Sequence, residues 1–92
     1  MSSPGPNRPA VSVKIDDQTR RGVYANRVIV SHTPHEFVID FVSDLPPGPQ
    51  IVSRVVTAPV HAAALLDTLR ENLGRYEQSF GPIRPPRPGA EA

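Results

Sequence analysis

Only one stretch of this chain can fold over a sheet, while three stretches present apolar surface that needs covering. From Pro59 to Phe80, apolar residues recur at Ala62, Leu66, Leu69, Leu73, Tyr76 and Phe80, with steps alternating between four and three. That period draws one stripe along a helix of about five turns, widened by Leu65. Asp67, Arg70, Glu71, Arg75, Glu77 and Gln78 fall on the opposite side. Pro59 suits the first helical position, and Gly81-Pro82 is a stop signal. Ala58 falls at the N-cap, where it is weaker than Ser or Asp by about 1 kcal/mol. Gly74 weakens the helix by about 1 kcal/mol relative to Ala.

The runs Val23 to His32, Gln50 to Thr57 and His35 to Ser43 are rich in Val, Ile, Phe and Thr. Those residues favour strands. A shorter alternating run, Val11 to Ile15, reads as an edge strand, and Asp16 to Gly22 as a polar connection. His32-Thr33-Pro34-His35 reads as a tight reversal and Leu45 to Pro49 as a longer rigid loop. The expected fold is α+β: an antiparallel three- or four-stranded meander followed by one long C-terminal helix. Residues 1–10 and 84–92 read as disordered tails, the second rich in Pro and Arg, around a single domain at 11–83. The Arg-Pro-Pro-Arg-Pro run at 84–88 resembles a ligand for aromatic grooves, but a solvated tail is the favoured reading.

Pairing the first hairpin symmetrically about Thr33-Pro34 predicts a register. Val30 then faces Phe37, Val28 faces Ile39, Asn26 faces Phe41, and Arg27 faces Asp40. The opposite charges of Arg27 and Asp40 favour that pairing. One sheet face then carries Tyr24, Val28, Val30, Phe37, Ile39 and Phe41, with Ile51, Ser53 and Val55 from the third strand. The other carries Val23, Ala25, Ile29, Val38 and Val42, broken by Arg27 and Asp40, with Val52, Arg54 and Val56. One helix covers one face, so a second cover is implied. The expected interface is therefore Ile29, Val38, Val42, Val52 and Val56, with the helix stripe given to the core. Arg27, Asp40 and Arg54 form the expected ion-pair network.

The chain has 92 residues and no cysteine, so no disulfide supports a core this small. Oligomerisation is the usual remaining device. Lys+Arg number 10 against Asp+Glu 9, a net charge of +1 that gives no nucleic-acid footprint for the whole chain. Met1 to Ala10 lacks an apolar signal-peptide core, and no apolar run approaches the ~20 residues that span a bilayer. These features predict a cytoplasmic protein with no membrane attachment.

Several features together are similar to a family of small prokaryotic proteins catalogued as domain of unknown function 3467. They are Tyr24-Ala25-Asn26, Glu36-Phe37 with Asp40-Phe41, Arg54-Val55-Val56 before Ala58-Pro59, and Tyr76-Glu77 with Phe80-Gly81-Pro82-Ile83. The resemblance covers about residues 11–83. It departs at Ala58, where a capping Ser is absent. It implies a compact strand-rich domain closed by a C-terminal helix, and no activity.

No catalytic arrangement emerges from the residues. His32 and His35 flank a turn beside Glu36 but lack a third fixed metal ligand, and His61 is remote in sequence. Serines 31, 43, 53 and 79 have no nucleophile-elbow context. Gly48 stands alone among prolines, not in a phosphate loop. Arg20, Arg21, Arg27 and Arg54 suggest a basic track, but single-strand binders also need aromatic platforms. Here the aromatics fall on core stripes. Asn26, polar on an apolar face, calls for a backbone partner. The expectation is a non-enzymatic, homodimeric interaction or adaptor module of unknown partner, with no cofactor and no metal. The alternative is a sheet-based binder of single-stranded nucleic acid.

Overall fold

The structure, a computed structural model, describes residues 12–84. Its elements are α1 (Asp17–Arg21), β1 (Arg27–His32), β2 (Phe37–Leu45), β3 (Gly48–Thr57) and α2 (Pro59–Phe80). The strands form one antiparallel sheet in the order β1-β2-β3. The fold is thus a meander followed by a long helix. Residues 1–11 and 85–92 lie outside the described residues, and the expected tails fall mostly there.

Residues 12–15 form no strand, contrary to the edge strand expected at Val11 to Ile15. The polar connection that follows contains a short helix instead. Asp16 caps it by accepting the Thr19 N–H at 2.6 Å. This is the local bond an Asp at an N-cap provides. It also holds the Asp16 carboxyl below its ordinary range.

The hairpin register differs from the expected one by two residues. Val30 pairs with Ile39, Val28 with Phe41, and Arg27 with Val42. The cause lies in the turn. Thr33 Oγ1 accepts N–H bonds from His35 at 3.2 Å and Glu36 at 3.1 Å. The Thr33 N–H donates to the Glu36 carbonyl at 2.9 Å. The loop therefore runs from Thr33 to Glu36, and its centre moves to Pro34-His35. Moving the axis by one residue shifts each partner by two. A shift of two preserves which face a side chain occupies, whereas a shift of one would invert it. The expected faces of β1 and β2 consequently survive, but Arg27 no longer stands across from Asp40.

The second hairpin is tighter than expected. Leu45 pairs with Gly48, so only Pro46 and Pro47 make the turn, joined by a cis peptide. Farther along, Phe41 pairs with Ser53 while Val42 pairs with Ile51. Val52 is the extra residue of a bulge. Beyond it, parity changes, and Ile51 shares the face of Val42 and not that of Val55.

Helix α2 begins and ends where the sequence places it. Ala58 is the N-cap and makes no side-chain capping bond, and Pro59 follows. At the other end Gly81 takes φ 92°, a left-handed value that glycine adopts without steric penalty. Its N–H donates to the Glu77 carbonyl at 2.9 Å. The chain then turns back, and the Ile83 N–H reaches Glu77 Oε2 at 2.9 Å.

Replacing Ala58 with Ser supplies the missing acceptor at the start of α2. The expected gain is about 1 kcal/mol, read as an increase in the urea midpoint with an unchanged slope.

Candidate interaction surface

The centre of the sheet is small and unequal on its two sides. Ile39 and Asp40 are each 7% exposed and Val42 is 2% exposed. Ile39 points to the face that α2 approaches. Asp40 and Val42 point to the far face.

On the far face, Asp40 and Arg54 are direct cross-strand partners. Arg54 Nε donates to Asp40 Oδ1 at 2.7 Å, and Arg54 Nη2 donates to Oδ2 at 2.9 Å. This two-pronged geometry suits a planar guanidinium facing a carboxylate. The hydrogen bond from Arg54 holds the Asp40 carboxyl below its ordinary range, outweighing the opposing effect of burial. The same bond raises the Arg54 guanidinium above its own. Arg27 lies 3.8 Å from Asp44, not from Asp40, as its register requires. The expected three-residue network is therefore two separate pairs. Asn26 Oδ1 accepts the Asp44 N–H at 2.8 Å, and the Asn26 N–H donates to the Val42 carbonyl at 2.9 Å. This polar residue thus extends the ladder past the end of β1.

The residues expected at an interface do not share one environment. Val42 is already covered within the single chain, Val38 and Val52 are half-buried, and Ile29 and Val56 are about half exposed. Gln18, Thr19, Gly22 and Val23 line a shallow groove with Val52 and Ser53, which sets α1 against β3. From there the chain crosses to β1 at the opposite edge. The segment before β1 thus runs beside the sheet, a placement that sequence periodicity did not reveal.

Much exposed apolar surface lies on the helix, contrary to its expected burial. No residue of α2 is buried. Leu66, Leu69, Leu73 and Tyr76 are at least half exposed, and Phe80 is 75% exposed. The reason is geometric. Twenty-two helical residues extend about 33 Å. Only Ala62, Leu65, Leu66 and Leu69 face the sheet, across an open groove of about 390 Å³ floored by Val28, Val30, Phe37, Ile39 and Phe41. The stripe then continues past the sheet. Tyr76 and Phe80 touch each other, ring centres 5.0 Å apart. A second groove follows the helix between Leu66, Leu69, Leu73 and Gly74 and the returning Ile83, with Arg70 and Glu77 on its margin. Sequence reading noted Gly74 but not this groove. The seven-residue spacing of Arg70 and Glu77 around it was the available signal.

The histidines do not converge. His32 stacks on Phe37 with ring centres 5.2 Å apart. Among the described residues no three His, Cys, Asp or Glu side chains form a group that could hold a metal ion. Nor is any helix among them long and apolar enough to cross a membrane.

An antiparallel meander with a cross-strand ion pair and one projecting amphipathic helix defines a small α+β module whose most distinctive surface is apolar. The chain belongs to the family described as "Protein of unknown function (DUF3467)", whose model matches residues 1–85. No curated protein and no solved structure matches it.

The Asp40 carboxyl has a lowered value in the folded chain, so its pair stabilises the fold above the ordinary carboxylate value of 3.8. That contribution is lost as pH falls through the lower folded value. Asp40→Asn should lower the urea midpoint at pH 7. It should also flatten the fall in midpoint that the parent chain shows between about pH 5 and pH 2.

Proposed function

We infer that this chain is a non-enzymatic, self-associating module for protein interaction, acting as an adaptor or regulatory subunit. The observation that carries this reading is the exposed stripe of α2. Burying a Leu, Phe or Val side chain contributes about 1.5–3 kcal/mol. A core of this size cannot forgo five or six such contributions and remain robust. Contiguous apolar surface on this scale marks an association site. The cysteine-free composition supports a reducing compartment such as the cytoplasm.

The non-enzymatic part of the reading rests on what the polar groups already do. Asp40 is bound to a guanidinium and held ionised, the opposite of a poised general acid. The alternative, a sheet-based binder of single-stranded nucleic acid, finds less support. Arg54 and Arg27 each lie beside a carboxylate, which cancels much of the attraction for phosphate.

Sedimentation of the full chain at micromolar concentration should give a species larger than the monomer. Leu73→Asp should shift it toward monomer, whereas Glu71→Gln, on the polar face, should leave it unchanged. A stable monomer across that range overturns the reading. Binding to a single-stranded oligonucleotide with a steep salt dependence would establish the alternative.

A further inference from the structure

Resting on the self-association reading, we propose that the stripe of α2 is covered by α2 of a second copy, antiparallel and crossing at Leu73-Gly74. This places the interface on the helix side of the sheet, not on the Val38 and Val56 face.

Four observations select this occupant. The first is spacing: Leu66, Leu69, Leu73, Tyr76 and Phe80 alternate steps of three and four, the pattern that pairs helices along a seam. The second is Gly74. A Cβ built there would meet nothing within 4 Å, so packing within the chain does not require glycine. Yet the residue weakens a long helix by about 1 kcal/mol relative to Ala. It lies about 100° around the helix from Leu73, on the flank that carries Arg70 and Glu77, where the missing side chain leaves room beside the seam.

The third is charge. Arg70 and Glu77 sit symmetrically about the Leu73-Gly74 midpoint, on the margin of the same groove. Among the described residues, Arg70 has no ion-pair partner in its own chain. A two-fold axis at the midpoint sets Arg70 of each copy beside Glu77 of the other. A parallel arrangement would set Arg70 against Arg70. An isologous contact of this kind closes as a dimer.

The fourth is fit. In the antiparallel arrangement Tyr76 and Phe80 of the second copy lie alongside Leu66 and Leu69, at the mouth of the sheet groove. That groove measures about 390 Å³. A cavity of about 150 Å³ accepts one benzene ring, so two aromatic side chains match the space. Leu66, Leu69, Leu73 and Tyr76 are at least half exposed and Phe80 is 75% exposed, surface that a second copy would cover.

The test is a charge swap read by the dimer dissociation constant, measured by sedimentation of the full chain. Arg70→Glu alone should raise that constant on the order of tenfold at low salt, because two like-charge contacts replace two opposite ones. Combining Arg70→Glu with Glu77→Arg should restore most of the loss. Without contact between these sites, the double variant shows no rescue and the proposal fails.

Orientation is read separately, using the absence of native cysteine. Under mild oxidation, Arg70→Cys and Glu77→Cys chains should cross-link to each other when mixed, and neither should link efficiently to itself. Efficient self-linking of Arg70→Cys would indicate parallel helices and overturn the proposal. So would efficient self-linking of Ser31→Cys, which lies on the far face. A parent chain that sediments as a monomer defeats the self-association reading itself, whereas a dimer without rescue or mixed cross-link defeats only this geometry.

Discussion

The rest of the structure depends on a mismatch between one helix and one sheet. Three strands give a sheet only about 10 Å across between the outer strand axes. Helix α2, about 33 Å long, matches the ten-residue strand β3 in length, so the narrow width of the sheet, not its length, limits the cover available. Its first turns face the sheet across an open groove, and its later turns have the returning Ile83 beside them in place of a strand. The apolar stripe nonetheless runs unbroken to Phe80. A chain under no pressure to cover those later positions would accumulate polar residues there. Exposure of the stripe and openness of the groove beside it therefore have one cause: helix and sheet present more apolar surface than they can hide from each other.

Most elements were legible because their signals are local. The stripe, Pro59 and Gly81-Pro82 define α2 without reference to anything distant. Strand composition likewise locates β1, β2 and β3. The register was less legible because it depends on one side chain. Thr33 Oγ1 draws His35 and Glu36 into the loop, and that bond moves the axis by one residue. Apolar alternation has period two, so it cannot distinguish registers two residues apart. Only the charges could have done so, and Arg27 had acceptable partners at both Asp40 and Asp44. The Val52 bulge was hidden for a related reason: Ile51, Val52, Val55 and Val56 are apolar on either face. The exposure of the helix stripe was hidden because periodicity says which side of a helix is apolar, but not how far a sheet extends beneath it.

The ion pairs explain why the sheet's charged residues are compatible with a quiet chemical surface. Asp40 sits in the central strand among apolar neighbours, where an unpaired carboxylate would be strongly destabilising. Arg54 supplies two charge-assisted bonds from directly across the ladder, and no buried side-chain polar atom among the described residues lacks a partner. The pair fixes the β2–β3 register, because a shift would strand the carboxylate. Arg27 and Asp44 perform the same service more loosely at the edge. These charges serve the architecture by pairing across the sheet.

The two sheet faces are consequently unequal as association surfaces, even though apolar residues occupy both. On the far face, any partner laid over Val38 and Val56 must also cover Arg54, whose side chain is 60% exposed. Taking that guanidinium fully out of water carries a desolvation penalty that its existing bonds to Asp40 cannot reduce further. The helix side has no such obstacle. Between Val28 and Leu69 the groove lining contains no charged residue, and Arg70 and Glu77 line the neighbouring one, where charge would direct the proposed partner without being buried. Apolar area alone made the two faces look equivalent. The position of a single arginine separates them.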